Sequence, residues 1–140
     1  MRYYAVIDTN VIVSAFLKSN SIPDTVLDLV FAGVIVPLVN DEIVCEYKNV
    51  LSRSKFGFGD EIVKGFISQI KAIGLYVDAE KSSIELPDEN DRVFYEIVME
   101  KRKTDEAYLV TGNIKHFTGE AFIVTPREML EIIAKQYADK

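Results

Sequence analysis

Tyr3-Tyr4-Ala5-Val6-Ile7, running straight into Asp8-Thr9-Asn10, is the stretch whose reading decides the fold. A short apolar run closed by a polar triplet predicts a buried strand ending at Ile7. Comparable runs recur at Val34 to Val39, Leu75-Tyr76-Val77, Ala107 to Thr111 and Phe122-Ile123-Val124. Segments of helical spacing lie between them. Ser21-Ile22-Pro23-Asp24 starts a helix, with Ser as cap and Pro in the first turn, and Gly33 stops it. Asn40 caps a helix from Asp41 to Ser52 whose stripe is Ile43, Val44, Tyr47, Val50 and Leu51. Asp60 opens another, with Ile62, Val63, Phe66, Ile67 and Ile70 at helical spacing. Asp91 to Lys101 is helical through Val93, Phe94, Ile97 and Val98. Thr125-Pro126-Arg127-Glu128 forms a capping box that opens the last helix. Strands alternating with helices predict an α/β fold, with a parallel sheet covered on both faces.

The chain has 140 residues, 49% of them hydrophobic, and no linker or repeat, so a single domain over 1–140 is expected. The net charge of −6 disfavours a protein that grips nucleic acid mainly through a basic surface. It leaves open a nucleic-acid enzyme that meets phosphates through bound metal, whose charge the composition does not count. A single cysteine, Cys45, excludes an internal disulfide and reads as a small buried hydrophobe. A single histidine, His116, excludes a histidine-rich zinc site. The apolar run before Asp8 is too short for a signal peptide, and Asp28, Gly33 and Pro37 interrupt the longest apolar stretch. A soluble, cytoplasmic protein with no membrane segment is the expectation.

In open parallel sheets, sites lie beyond the carboxyl ends of the strands. Asp8-Thr9-Asn10 and Thr111-Gly112-Asn113 stand there, and Asp88-Glu89-Asn90-Asp91 leads into a helix. Each has a structural alternative. Asp8 and Asn10 could form an Asx turn and cap the next helix, Asp88 could cap with Asp91 in the first helical turn, and Thr111-Gly112-Asn113 could be an ordinary turn. Glu46 stands out because about 100° per residue places it at the rim of its helix's apolar stripe. The polar residues Asp41, Lys48, Asn49 and Ser52 lie on the opposite face. It either reaches outward to solvent or needs a partner. Asp8, Glu46 and Asp91 gathered with Asn113 would repel one another unless a cation neutralised them. Oxygen ligands without a thiol or imidazole set fit Mg²⁺ or Mn²⁺.

The order of Asp8-Thr9-Asn10 after the first strand, Glu46 in a mid-chain helix, Asp91 at a later helix start and Thr111-Gly112-Asn113 after a strand resembles the PIN-domain family. The likeness covers nearly the whole chain, through Ile123-Val124-Thr125-Pro126 and Glu128. It is greatest to the bacterial and archaeal PIN proteins regarded as toxins of toxin–antitoxin pairs. The resemblance implies a three-layer α/β/α fold around a parallel sheet of four or five strands. It also implies a ribonuclease dependent on Mg²⁺ or Mn²⁺, a homodimer, and an antitoxin partner. Asp8 would be the central metal ligand and Asp91 a second, with Glu46 bound directly or through water. Attack of activated water on RNA would leave a 5′-phosphate and a 3′-hydroxyl. Thr9, Asn10 and Thr111 would position the acids or the water.

One position departs from the pattern. Many PIN nucleases carry aspartate where this chain has Asn113. The amide keeps a carbonyl oxygen but removes one negative charge, which lowers the expected metal affinity and opens the alternative of a weakly catalytic RNA- or protein-binding module. Asp88 and Glu89 are the candidates to compensate. For substrate, Lys115 and His116 suit a phosphate contact or a plain surface loop. Lys101-Arg102-Lys103 reads as a solvated helix end suited to the dipole. Ser52 to Gly59, with Arg53, Lys55, Phe56 and Phe58, could stack on single-stranded RNA or pack on a partner. A haloacid-dehalogenase-type phosphatase would need a second aspartate where Asn10 stands, and no Gly-x-Gly-x-x-Gly follows the first strand.

Overall fold

The strand ending at Ile7 lies at the centre of the molecule. In the computed structural model, which describes residues 2–117 and 119–138, the strands are β1 Tyr3–Ile7, β2 Ile35–Val39, β3 Leu75–Tyr76, β4 Ala107–Val110 and β5 Ile123–Val124. The helices are α1 Thr9–Leu17, α2 Ile22–Phe31, α3 Asp41–Leu51, α4 Asp60–Ile73, α5 Arg92–Arg102 and α6 Pro126–Ala138. The strands form one five-stranded sheet in the order β3-β2-β1-β4-β5, and every pair is parallel. Helices cover it to give three α/β/α layers, with α2 packed on α1 and α6, and α3 on α4 and α5. Ala5, Val6, Ile35, Leu38, Val39 and Leu109 are all fully buried. Burial of successive residues is what a parallel sheet under helices on both faces requires.

Chain order makes β1 the pivot. From β1 the sheet grows through β2 and β3 on one side and through β4 and β5 on the other. Such a reversal leaves a crevice at the carboxyl ends of the two central strands. Tyr4 pairs with Ala107 and Ile7 with Val110, so β1 and β4 end level. The Asp8 N–H continues the ladder by donating to the Val110 carbonyl at 2.9 Å. Asp8 and Thr111 therefore leave the sheet side by side.

The expected caps form. The Asp24 N–H donates to Ser21 Oγ at 3.3 Å, and the Ile43 N–H donates to Asn40 Oδ1 at 2.8 Å. Thr125 and Glu128 exchange both bonds of the capping box, at 2.9 and 3.1 Å. Three details differ from the sequence expectations. Ile62 is 63% exposed, because it sits about 100° before the buried row of Val63, Phe66, Ile67 and Ile70. Cys45 is exposed rather than a core residue, sharing its side of α3 with Asp41, Lys48 and Ser52. The nine-residue helix α1 follows Asp8 directly, but the Asp8 side chain makes no capping bond to it. Where α4 turns into β3, a side chain at Gly74 would place its Cβ 2.7 Å from the Ile70 carbonyl and 2.9 Å from Val39 Cγ2, so only glycine fits.

One buried contact ties this frame to the chemistry. Tyr47, fully buried on α3, donates its hydroxyl to the carbonyl of Ile7 at the end of β1. Its ring lies 6.4 Å from that of Phe94 on α5. Burial raises the Tyr47 hydroxyl pKa well above its usual value, helped by the charges of Asp8 and Glu46. The phenol thus stays protonated and keeps donating, and it holds the helix that carries Glu46 against the strand that presents Asp8.

Candidate metal centre

At the carboxyl ends of β1 and β4 lies an open cleft of about 390 Å³, lined by Asp8, Thr9, Asn10, Glu46, Asp88, Asp91, Asn113 and His116. Arg53 and Phe56 line it from the segment after α3. Asp8 occupies the N-cap position of α1 but makes no capping bond with its side chain. The carboxylate is turned to the cleft instead. Its Oδ2 accepts the Thr111 hydroxyl at 2.7 Å and the Asn10 amide at 3.2 Å. The Asx-turn reading of this segment therefore gives way to a positioned acid.

A second layer of bonds fixes these partners. Asn10 Oδ1 accepts the Gly112 N–H at 3.0 Å, and Thr111 Oγ1 accepts the Asn113 N–H at 3.0 Å. The loops after β1 and β4 are thereby stitched to each other. Thr9 donates its hydroxyl to Glu46 Oε2 at 3.2 Å, which resolves the rim position of Glu46. The side chain turns toward the cleft.

Asp91 is the N-cap of α5 and likewise makes no side-chain capping bond. Asp88 caps the preceding 3₁₀ turn by accepting the Asn90 N–H at 3.0 Å. Asp91 Oδ2 lies 3.1 Å from His116 Nδ1, and one ligand atom each from Asp88, Asp91 and His116 fall within 4.8 Å of one another. Of the two candidates to compensate for Asn113, Asp88 faces the cleft. Glu89 is turned away into an ion pair with Arg92 at 2.5 Å.

The electrostatics follow from this crowding. Burial raises the Asp8 carboxyl above its usual range; hydrogen bonds from Thr111 and the Thr9 backbone oppose the rise, and the charge of Glu46 adds to it. Burial likewise pushes Asp91 up to about 6, with the charges of Asp8 and Asp88 adding and His116 opposing. Among the described residues, no Lys or Arg forms an ion pair with Asp8, Glu46, Asp88 or Asp91. Four carboxylates held together with His116 as the one ion-pair neighbour among the described residues suit a divalent cation, and their hard oxygen donors suit Mg²⁺ or Mn²⁺. The residues present fit such an ion.

The residues singled out for the centre from sequence line the cleft except Glu89, Thr111, which supports it from beneath, and Lys115, which is exposed on the 3₁₀ turn Ile114–His116. His116 is the stronger presence on that turn. Sequence reasoning gave it no role at Asp91, since 25 residues separate the two. Its only signal was position, three residues after Asn113. The basic run is engaged at its helix end and on neighbouring rings rather than freely solvated, with Lys101 over Tyr4 and Arg102 over Phe122. Lys101 pairs with Asp105 at 2.8 Å, Arg102 donates to the Ala107 carbonyl at 2.6 Å, and Lys103 pairs with Glu100 at 3.0 Å.

Comparison with known proteins agrees with this architecture. An uncharacterized protein of Methanocaldococcus jannaschii is 29% identical over 117 residues, covering 81% of this chain and 72% of that protein. No solved structure matches the chain. No helix among the described residues is long and apolar enough to cross a membrane. PIN domains are generally nucleases that use divalent metals, and residues 4–115 match the PIN domain; the chain belongs to the PIN domain family.

Proposed function

We propose that the protein is an endoribonuclease dependent on Mg²⁺ or Mn²⁺, with Asp8, Glu46 and Asp91 as its principal acids. The observation that carries this reading is the convergence of four carboxylates on one cleft with no Lys or Arg among the described residues paired to them. Asp8 and Asp91 would hold the ion, Asp88 would add a further oxygen, and Glu46 would bind it directly or orient a water. When bound, the ion supplies charge neutralisation at the phosphodiester and lowers the pKa of water.

The chain's own groups do the rest. Thr111 and Asn10 fix the Asp8 carboxylate before any ligand arrives, so little reorganisation accompanies binding. Thr9 orients Glu46, whose carboxylate is the available acceptor for a proton leaving water. His116 Nδ1 lies 3.1 Å from Asp91 Oδ2, where a proton on that nitrogen would donate to the carboxylate and position it. Arg53, on the cleft wall, would meet a phosphate of the substrate. Asn113 presents a neutral amide to the cleft, and its exposure leaves the carbonyl oxygen open to the ion.

We assign the protein, on family likeness, to the toxin half of a toxin–antitoxin pair acting as a cytoplasmic homodimer. Asn113 favours a second reading, in which a weakened site is kept for binding RNA or protein. Incubation of a structured and a single-stranded RNA with Mn²⁺ separates the two. The nuclease reading expects cleavage that EDTA abolishes and that Asp8→Asn lacks. Binding with no cleavage, unaffected by Mn²⁺, supports the module.

A further inference from the structure

A larger depression lies on the other side of α3. It measures about 660 Å³ and runs between α3 and α4. Its walls are two helical rows: Asp41, Cys45, Lys48 and Ser52 on α3 and just beyond its end, and Asp60, Lys64, Ser68 and Lys71 on α4. Val44, Val63 and Ile67, all buried, form the floor. Lys64 and Lys71 are about 10 Å apart along α4, at 1.5 Å per residue. Among the described residues none of the three lysines has an ion-pair partner.

Two further observations tie this groove to the cleft. Helix α3 is their common wall, with Glu46 and Val50 facing the cleft and Cys45 and Lys48 facing the groove. At its carboxyl end Ser52 borders the groove and the next residue, Arg53, borders the cleft. Charge also separates sharply. Residues 48–71 carry five Lys or Arg against two acids, in a chain whose net charge is −6. Phe56 lies on the cleft side of this passage, stacked on Phe58 at 5.4 Å with Lys55 Nζ 5.1 Å from the Phe56 ring centre. Arg53 and Lys55, with no ion-pair partner among the described residues, suit phosphates passing this aromatic pair.

We propose that the α3–α4 groove is the track for the flanking phosphates of a single-stranded RNA whose scissile bond sits in the acidic cleft. The strand passes Arg53 and Phe56 around the end of α3 and runs along Lys48, Lys64 and Lys71. This rests on the ribonuclease reading for the identity of the polyanion. The acidic cleft repels phosphate without its cation, so the groove supplies the attraction that the composition as a whole lacks.

The test is binding of fluorescent single-stranded RNAs of about 6 and about 16 nucleotides, spanning the usual range of single-strand sites. It is made in EDTA over a range of salt, with wild type, Lys64→Gln/Lys71→Gln and the distant Lys135→Gln. In wild type the longer RNA binds more tightly. In the double variant this advantage shrinks, and the slope of log affinity against log salt falls by about 1.4, at about 0.7 for each phosphate no longer neutralised. Lys135→Gln leaves the slope unchanged. A benzophenone placed on Cys45, the one cysteine of the chain, crosslinks the bound RNA. An unchanged slope, or no crosslink from Cys45, overturns the proposal. So does capture of the groove by polyglutamate with RNA affinity untouched, which would indicate an acidic protein partner. Cleavage with Mn²⁺ is scored separately: cleavage with an unchanged slope removes the track and leaves the nuclease, whereas a reduced slope without cleavage leaves the track and removes the nuclease.

Discussion

Thr111 donates its hydroxyl to Asp8 at 2.7 Å across 103 positions of sequence, while accepting the Asn113 N–H at 3.0 Å. One fully buried hydroxyl thus joins the ends of the two central strands and orients the acid between them. Thr111→Val keeps the shape and removes the donor. It is expected to cost about 1–3 kcal/mol of stability, because a buried acceptor loses a partner. Mn²⁺ affinity is expected to fall about 10- to 100-fold, as when an outer partner of a metal ligand is removed. Thermal melts and metal titration by calorimetry check both numbers, and Thr111→Ser should restore the affinity.

The acids also make the metal-free protein sensitive to pH. Asp91 has an ordinary pKa of 3.8 and is pushed up to about 6 in the fold. Its folded form therefore binds a proton more tightly than its unfolded form. That contribution to stability is complete below about 3.8 and is lost as pH rises through about 6. In EDTA, Asp91→Asn should melt above wild type at pH 7.5, and the gap should close on acidification to pH 5. With Mn²⁺ present at pH 7.5 the order should reverse, since the ion stabilises wild type by mass action.

Asn113 offers the converse experiment. Asn113→Asp adds a fourth cleft-facing aspartate to Asp8, Asp88 and Asp91. It should tighten Mn²⁺ binding by about tenfold, since nearby opposite charge shifts such equilibria by a unit or more. It should also raise the cleavage rate and lower stability in EDTA. Single-turnover cleavage at saturating Mn²⁺ distinguishes a gain in chemistry from a gain in affinity alone.

Tyr47 tests how the frame serves the centre. Tyr47→Phe leaves the ring against Phe94 and removes the donor to the Ile7 carbonyl. A loss of about 1–3 kcal/mol is expected in thermal melts, the cost of a buried carbonyl left unpaired. Cleavage should fall as well, because α3 is no longer fixed to the end of β1. A fall in stability with catalysis intact would show that Glu46 is held by Thr9 alone.

The elements legible from sequence were those with local signals. Ser21, Asn40 and the Thr125–Glu128 pair announced their helices because a cap acts within three residues. The runs at Tyr3 to Ile7 and Ala107 to Val110 announced central strands because both faces of a buried parallel strand are apolar. Helix α1 had no bounds in the sequence, since Val11-Ile12-Val13 is apolar on every side and carries no helical period. Asp8, Glu46 and Asp91 were visible as acids at a strand end, on a stripe's rim and at a helix start. The Asp91–His116 contact and the choice of Asp88 over Glu89 were not, for each depends on how a turn rotates its side chains. The α3–α4 groove was hidden for the same reason: its lysines come from two helices whose packing no local spacing reveals.

The most direct test of the metal-nuclease account is analysis of the RNA ends produced in Mn²⁺ by wild type and by Asp8→Asn. Water attack at a metal centre predicts 5′-phosphate and 3′-hydroxyl ends, formed by wild type, absent with Asp8→Asn and absent in EDTA. Ends carrying a 2′,3′-cyclic phosphate and a 5′-hydroxyl, persisting in EDTA and equal in both proteins, would contradict it.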